Sequence, residues 1–342
     1  MPNIAGFSKF LAYEAGGAES STRLLLLDAE KAGSTIAIYS FSGAKFLGRS
    51  MPLATVSRTW RLKYYDAMFE LGRFSYIEYA LNRRRLIRFF SKLNADELWT
   101  YGVYGPAALL GFRGRGRYFI RSESDLGILV NYYEGMRYWA KYLKDILEWP
   151  AYKLYRKDLE SSLRSATVTA NSKYMAQRVR ECLHISATVE YPIVDITHLR
   201  ERLDSLPADD KWVVFVGDSN WKGLNLVEQI AESLPSVEFR IFSRFIEKDC
   251  QIKNVLWSPW QRESWRIYQA ARLVIVPSQC EEAYGKVARE SFLLGKKLLV
   301  SRVGGLPEAV DFDPQYIVDD FRSRVTWCNA IQQILLKQHC AS

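Results

Sequence analysis

The sequence predicts an α/β protein built as two Rossmann-like domains facing a cleft. Three observations predict it. The runs Trp212-Val213-Val214-Phe215-Val216, Leu273-Val274-Ile275-Val276 and Leu298-Leu299-Val300 are apolar without alternation, as strands of a parallel sheet covered on both faces must be. The order strand, loop, helix, strand recurs in both halves of the chain. A length of 342 residues is enough for two domains of ordinary size. The expected division is a first domain over 1–192, a second over 193–320, and a terminal helix over 321–342 that crosses back to the first.

The first half opens with strand 4–7, a loop at 15–19, a helix over 21–31 and strand 35–39, with Gly33 at the helix end. The first strand is poor, because polar Ser8 and Lys9 follow at once. Gly16-Gly17 just before the helix lets a phosphate or hydroxyl approach the backbone. Residues 58–93 read as helical and aromatic, with Phe74, Ile77, Leu81, Leu86, Phe89, Phe90 and Leu93 on one side and Arg83-Arg84-Arg85 and Arg88 nearby. Such a helix either lies on an anionic bilayer or packs in the core with a solvated face. Residues 96–101 and 118–120 are further strands, with a helix at 106–110 between them. Arg121-Ser122-Glu123-Ser124-Asp125 follows the second of these strands and is expected at the cleft.

Residues 127–157 carry Tyr132, Tyr133, Tyr138, Trp139, Tyr142, Trp149, Tyr152 and Tyr155, interleaved with Arg137, Lys141 and Lys144. This pattern suits base stacking, a sugar groove, a membrane interface or plain packing, and the residues do not choose among them. Strand 166–170 comes next, with Asn171-Ser172 capping the following helix. The second half has strand 212–216 ending at Gly217, loop 218–223, helix 224–234, strands 238–242 and 255–257, helix 264–271 and strand 273–276. The last helix, 321–338, carries Val325, Cys328, Ile331 and Leu335 on one stripe, with Asp320 as its cap.

Composition narrows the function. Apolar content of 48% with 25% charged residues is that of a globular protein. No run of 18 apolar residues occurs, and M-P-N-I-A-G-F-S-K-F has no signal-peptide pattern. The five cysteines are scattered without metal-ligand spacing, so a reducing cytosol and no metal centre are expected. The net charge of +9 is uneven: residues 1–192 hold 28 Lys and Arg against 18 Asp and Glu, and residues 193–342 hold 19 against 20. A basic first half favours an anionic surface or substrate, with peripheral contact to an anionic membrane as one form of it.

The segment 281–310 is the most informative. Glu282 and Glu290 are separated by seven residues, with Ala283-Tyr284-Gly285 between them and Val287, Ala288, Phe292, Leu293 and Leu294 forming the apolar side of a helix. Gly295 ends that helix, a strand follows, and Gly304-Gly305-Leu306-Pro307-Glu308 closes the unit. The loop lies at the carboxyl end of a parallel strand, where open α/β sheets bind ligands. The amides of Gly285 and Lys286 at the helix start favour phosphate. A loop carboxylate can accept from sugar hydroxyls and a deeper one from a ribose, although spacing alone also fits two surface charges.

In register, Glu282, Tyr284, Gly285, Glu290, Gly295, Gly304, Gly305, Pro307 and Glu308 resemble the donor-binding signature of retaining GT-B glycosyltransferases of family 4, with Ala283 where that family usually has glycine. Lys222-Gly223 resembles the family's K-G, Gly16-Gly17-Ala18-Glu19 its first loop, and Tyr191 to Asp195 its domain junction. The resemblance implies a retaining, metal-independent transfer of a hexose from a nucleotide diphosphate sugar, UDP- or GDP-linked, to a glycan or glycolipid acceptor in surface polysaccharide synthesis, without a further cofactor. It implies a donor site formed by Gly16, Gly17, Gly217, Lys222, Gly223, Trp257, Ser258, Glu282, Ala283, Tyr284, Gly285, Lys286, Val287 and Glu290. In it Lys222 neutralises the diphosphate, Glu282 meets the sugar, Glu290 the ribose, and Trp257-Ser258 the base. Asp218 stands where the family usually has arginine. The histidine usual after the strand at 118–120 is absent, so Arg121 and Glu123 stand in for it as catalytic residues beside Glu282 and Lys222. The scattered cysteines lead to the expectation of a cytoplasmic location, and the basic first half to a peripheral place on the inner face of the plasma membrane as one form of it. A sugar-nucleotide-binding subunit with weak or lost catalysis is the alternative. Nucleic acid is not an expected partner, since no recognised binding module or repeat is present.

Overall fold

The structure, a computed structural model, describes residues 1–13, 16–44, 59–66, 69–71, 74–127, 138–205, 207 and 210–336. Ala15 of the first glycine loop, Tyr132, Tyr133 and Arg137 of the aromatic stretch, and residues 337–342 lie outside the described residues. The chain forms two compact units, Met1–Ile193 and Val194–Ser342.

The first unit is a seven-stranded sheet. Its strands are β1 (Asn3–Phe7), β2 (Thr35–Phe41), β3 (Arg61–Tyr65), β4 (Glu97–Thr100), β5 (Arg115–Ile120), β6 (Thr167–Ala170) and β7 (Thr188–Val189), in the order β3-β2-β1-β4-β5-β6-β7. Every pairing is parallel. The helices are α1 (Gly17–Lys31), α2 (Ser75–Phe90), α3 (Gly105–Gly111), α4 (Tyr138–Leu163) and α5 (Lys173–Leu183). Ser172 caps α5 by accepting from the Met175 amide at 3.0 Å. The short first strand is central, with Ile4, Ala5 and Phe7 buried. Lys9, which weakened its pattern, is neutralised by Glu78, a fully buried carboxylate on α2.

The expectation of a helix across 58–93 is corrected at its start. Arg61–Tyr65 is an edge strand, whose aromatic and basic side chains blur the alternation because one edge faces solvent. Helix α2 is a core helix. Tyr76, Tyr79, Leu86 and Phe90 are buried, Tyr79 donates to Asp158 of α4 at 2.6 Å, and Arg83 pairs with the same carboxylate. Leu81, expected on the apolar side, is exposed. The stripe therefore turns inward, with tyrosines carrying it.

The second unit is α6 (Ile196–Asp204), β8 (Trp212–Val216), α7 (Leu224–Ser233), β9 (Phe239–Ser243), β10 (Cys250–Ile252), β11 (Val255–Pro259), α8 (Trp265–Gln269), β12 (Ala271–Val276), α9 (Lys286–Leu293), β13 (Leu298–Ser301), α10 (Leu306–Ala309), β14 (Ile317–Val318) and α11 (Arg324–Leu336). The sheet order is β10-β11-β9-β8-β12-β13-β14, parallel except for the antiparallel β10–β11 edge. The unbroken apolar runs have a direct cause. Val213, Phe215, Leu273 and Ile275 face one core, with α7 and α11. Trp212, Val214 and Val274 face the other, with α8 and α9. Both parities are buried, so no polar residue interrupts.

Helix α11 spends its apolar stripe inside this unit: Trp327 and Ile331 are fully buried against the α7 side of the sheet. The described turns thus form an outer layer of the second unit. Val325, expected on the stripe, is exposed, because the larger Trp327 takes the core position. The cap is Ser323, whose hydroxyl accepts from the Thr326 amide at 3.2 Å, and not Asp320. Among the described residues no helix is long and apolar enough to cross a membrane.

Candidate functional site

In the second unit β8 and β12 are neighbours, and their chains leave toward opposite sides of the sheet, since β9 lies beyond β8 and β13 beyond β12. A crevice opens at the carboxyl ends of such a pair. Its walls are the loops 217–223 and 277–285. They meet through the backbone: the Gln279 amide donates to the Trp221 carbonyl at 2.8 Å. Gly223 has a φ of +95°, and a Cβ on it would lie 2.2 Å from the Pro277 carbonyl oxygen. Glycine alone permits that approach.

Lys222 ends a single helical turn, Asn220–Lys222, capped by Ser219. Its ammonium pairs with the Glu282 carboxylate, which also accepts from the Ser278 hydroxyl at 2.7 Å. Burial pushes the Glu282 pKa up, but the Lys222 charge and the hydrogen bonds from Lys222 and Ser278 outweigh it, so the carboxyl is held below its ordinary value. Ser278 was not among the expected site residues, although its place directly after a strand's Pro277 is a legible signal.

The Gly-Gly turn after β13 holds the Glu282 loop. The Gly305 amide donates to the Glu282 carbonyl at 2.7 Å. A Cβ on Gly304 would lie 2.4 Å from the Glu282 carbonyl oxygen, and one on Gly305 would lie 2.4 Å from that of Ala283. Gly285 then opens α9, with no side chain capping the first turn. Tyr284 is buried in the core and Val287 packs against it, so these two support the loop from behind. Glu290 is buried one turn on. It accepts from the Tyr268 hydroxyl at 2.5 Å and lies 3.5 Å from the Lys286 ammonium. Burial, then the neighbouring Glu290 charge, drive the Tyr268 pKa well up, so the tyrosine stays a donor.

The structure brings Gly217, Lys222, Gly223, Glu282, Ala283, Gly285, Lys286 and Glu290 together at this crevice. Trp257 and Ser258 are less free than expected for a base-binding pair. Trp257 packs against the sheet core, and fully buried Ser258 accepts from the Arg240 guanidinium at 2.9 Å. The next residue but one, Trp260, stacks under Arg244 at 4.5 Å and is exposed. Asp218 has a buried carboxylate oxygen with no hydrogen-bond partner.

In the first unit Gly16 caps α1 with extended backbone, beside the buried carboxylate of Glu19. Arg121 is the first residue beyond β5. It is 7% exposed, its Nε and Nη2 have no hydrogen-bond partner, and its guanidinium lies 4.6 Å over the Phe119 ring. Burial lowers its pKa to about 10. Glu123 is committed elsewhere, accepting from Tyr174 at 3.0 Å and from Arg178 at 3.1 Å. Asp125 ties the same turn, accepting from the amides of Arg121 and Ser122 at 2.7 and 2.9 Å.

No protein-family model matches the chain. The D-inositol 3-phosphate glycosyltransferase of Corynebacterium jeikeium is 29% identical over 145 residues, 42% of this chain and 32% of that protein. The chain thus matches about a third of that relative's length. Among solved structures, sucrose-phosphate synthase from Thermosynechococcus elongatus superposes with a TM-score of 0.71 at 17% identity, covering 98% of this chain and 90% of that one. Anabaena HepE, solved with UDP and glucose, superposes with a TM-score of 0.65 at 15% identity, covering 99% and 91%. Two parallel-sheet units in one chain, matched over nearly their whole length, establish that the protein has the GT-B glycosyltransferase fold.

Proposed function

We propose that the protein is a retaining glycosyltransferase of the family-4 kind, moving a hexose from a nucleotide diphosphate sugar to a hydroxyl of a glycan or glycolipid. The carrying observation is the Lys222–Glu282–Ser278 cluster at the β8/β12 crevice, beside the uncapped start of α9. The likeness to HepE, solved with UDP and glucose, supports a sugar nucleotide as donor. The names of the inositol phosphate relatives support glycosyl transfer.

In this reading the anomeric C–O bond breaks and its electron pair leaves with the diphosphate. Lys222, Lys286 and the first amides of α9 stabilise that charge, the role a divalent cation fills in other transferases. Glu282 orients the sugar through its hydroxyls. The acceptor hydroxyl attacks from the face the diphosphate leaves and passes its proton to the departing oxygen, so no protein nucleophile is needed. The second unit holds the donor and the first the acceptor.

The test is a thermal-shift screen against UDP-, GDP-, ADP- and TDP-sugars, followed by turnover with the donor that binds. Lys222→Ala and Glu282→Gln should each lose about 10–100-fold in turnover, the worth of one charged hydrogen bond in a binding site. Wild-type turnover in either variant sinks the reading. A second reading, a sugar-nucleotide-binding subunit without transfer, is favoured by one observation: Asp218, whose buried carboxylate oxygen has no hydrogen-bond partner, stands at the crevice where the family usually has arginine. Tight donor binding by calorimetry with no transfer across an acceptor panel would establish it.

A further inference from the structure

Helix α4 is inverted along its first three turns. The face turned into the first unit carries Lys144, Glu148, Asp158 and Ser162, all buried. Lys144 pairs with Glu148, Glu148 accepts from the Tyr76 amide at 2.9 Å, and Asp158 takes Tyr79 and Arg83. The opposite face carries Trp139, Tyr142, Leu143, Ile146, Leu147 and Trp149, exposed by between 47% and 64%. Their spacing of three and four places five of them in one stripe along the first three turns. The later turns bury Tyr155, Leu159 and Leu163 in the usual way, but over residues 139–149 the helix buries a charge pair and presents its large apolar side chains to solvent, which inverts the usual arrangement. Scattered exposed apolar residues need no explanation, but a continuous stripe of this size marks a surface that meets something apolar.

We infer that this face docks on an anionic lipid bilayer. The composition of the stripe favours a membrane surface: Trp139, Tyr142 and Trp149 are the ring types that settle at the headgroup level. The helix also carries Lys141, Lys153 and Lys157, with the Lys153 ammonium 5.3 Å over the Trp149 ring. The unit it belongs to holds the whole positive excess of the chain, 28 basic residues against 18 acidic over 1–192. Apolar insertion and attraction to acidic headgroups act together on such a surface. Helix α2, whose arginine cluster suggested a bilayer contact, has its apolar side packed on α3 and α4 and is not the docking element. The docking is independent of what the second unit binds.

Flotation of the full chain with vesicles tests it. Phosphatidylcholine vesicles containing phosphatidylglycerol should carry the protein upward, and phosphatidylcholine alone much less. The variant Leu143→Glu/Ile146→Glu alters only exposed side chains, so it should keep the wild-type melting temperature while its vesicle binding falls about tenfold or more. Protein that stays at the bottom of the gradient with anionic vesicles overturns the inference. So does a variant that floats as well as wild type. Sedimentation showing a dimer in buffer that the same variant dissociates would assign the face to a second copy of the chain and also overturn it.

Discussion

Lys222 and Glu282, 60 residues apart in the chain, form an ion pair across the ends of two neighbouring parallel strands, with the Ser278 hydroxyl on the same carboxylate. The lysine side chain is 45% exposed, whereas the glutamate is only 13% exposed. The solvent-facing ammonium weakens the pair's worth to the fold, while the buried carboxylate fixes where that ammonium sits.

The pair has a pH signature. Glu282 is held below its ordinary value, so its folding contribution is fully present above the unfolded glutamate value of about 4.3 and is lost as pH falls through the lower folded value. The difference in melting temperature between wild type and Glu282→Gln should be constant near neutrality and shrink on acidification below about pH 4. A difference that grows on acidification would mean the carboxyl is protonated in the folded state.

Gly304 should be as demanding as a ligand residue without touching ligand. Its φ is +57°, and a Cβ there would meet the Glu282 carbonyl oxygen at 2.4 Å. Gly304→Ala is expected to cost about 1–3 kcal/mol by chemical denaturation and to weaken sugar-nucleotide binding in calorimetry, because the Glu282 loop must shift. Gly43, also at positive φ but with open space around it, serves as the control and should lose stability only.

Arg121 is a buried cation whose Nε and Nη2 lack partners. Replacing a buried and incompletely hydrogen-bonded charge with an apolar side chain of similar length removes a desolvation cost larger than the attraction of Glu190 and Asp125 offsets. Arg121→Met should therefore melt higher than wild type, by about 1–3 kcal/mol of stability. If turnover falls in the same variant, the charge is retained for chemistry at the expense of the fold. A lower melting temperature would show that the guanidinium contributes to stability.

Asp125 gives a second pH effect, of opposite sign to that of Glu282. Burial raises its pKa to about 6, against the hydrogen bonds it accepts from Arg121 and Ser122. The folded state therefore holds the proton over a range where the unfolded chain has released it, and stability falls as pH rises from about 4 to about 6. Asp125→Asn should flatten that part of the melting-temperature profile.

Much of the fold was legible because the second unit's strands are buried on both faces. Val213 and Phe215 go to one core and Trp212 and Val214 to the other, which leaves an unbroken apolar word in the sequence. The glycines of the crevice were legible as letters, but their partners were not. That Gly223 abuts the Pro277 carbonyl, and Gly304 that of Glu282, depends on strand order, which no local pattern carries. The first unit was harder. Its edge strand Arg61–Tyr65 faces solvent and lacks a pattern, and α2 and α4 bury tyrosines and paired charges in place of leucines. Tertiary pairing such as Lys144 with Glu148 against the Tyr76 amide decides which face turns inward, and hydrophobicity alone misassigns it.

The two crevice loops are joined at main-chain atoms, Gln279 to Trp221 and Gly223 against Pro277. Joined in this way, they form one stiff part, and Lys222 rides on it with its head already tethered. A long flexible ammonium normally surrenders rotamer freedom when it grips an anion. Here that loss is incurred during folding, so under the proposed function an arriving diphosphate would meet a cation already placed and take it over from the carboxylate. Stiffening the loops further should change affinity little, whereas loosening the Gln279–Trp221 contact should slow capture of the anion more than it weakens the fold.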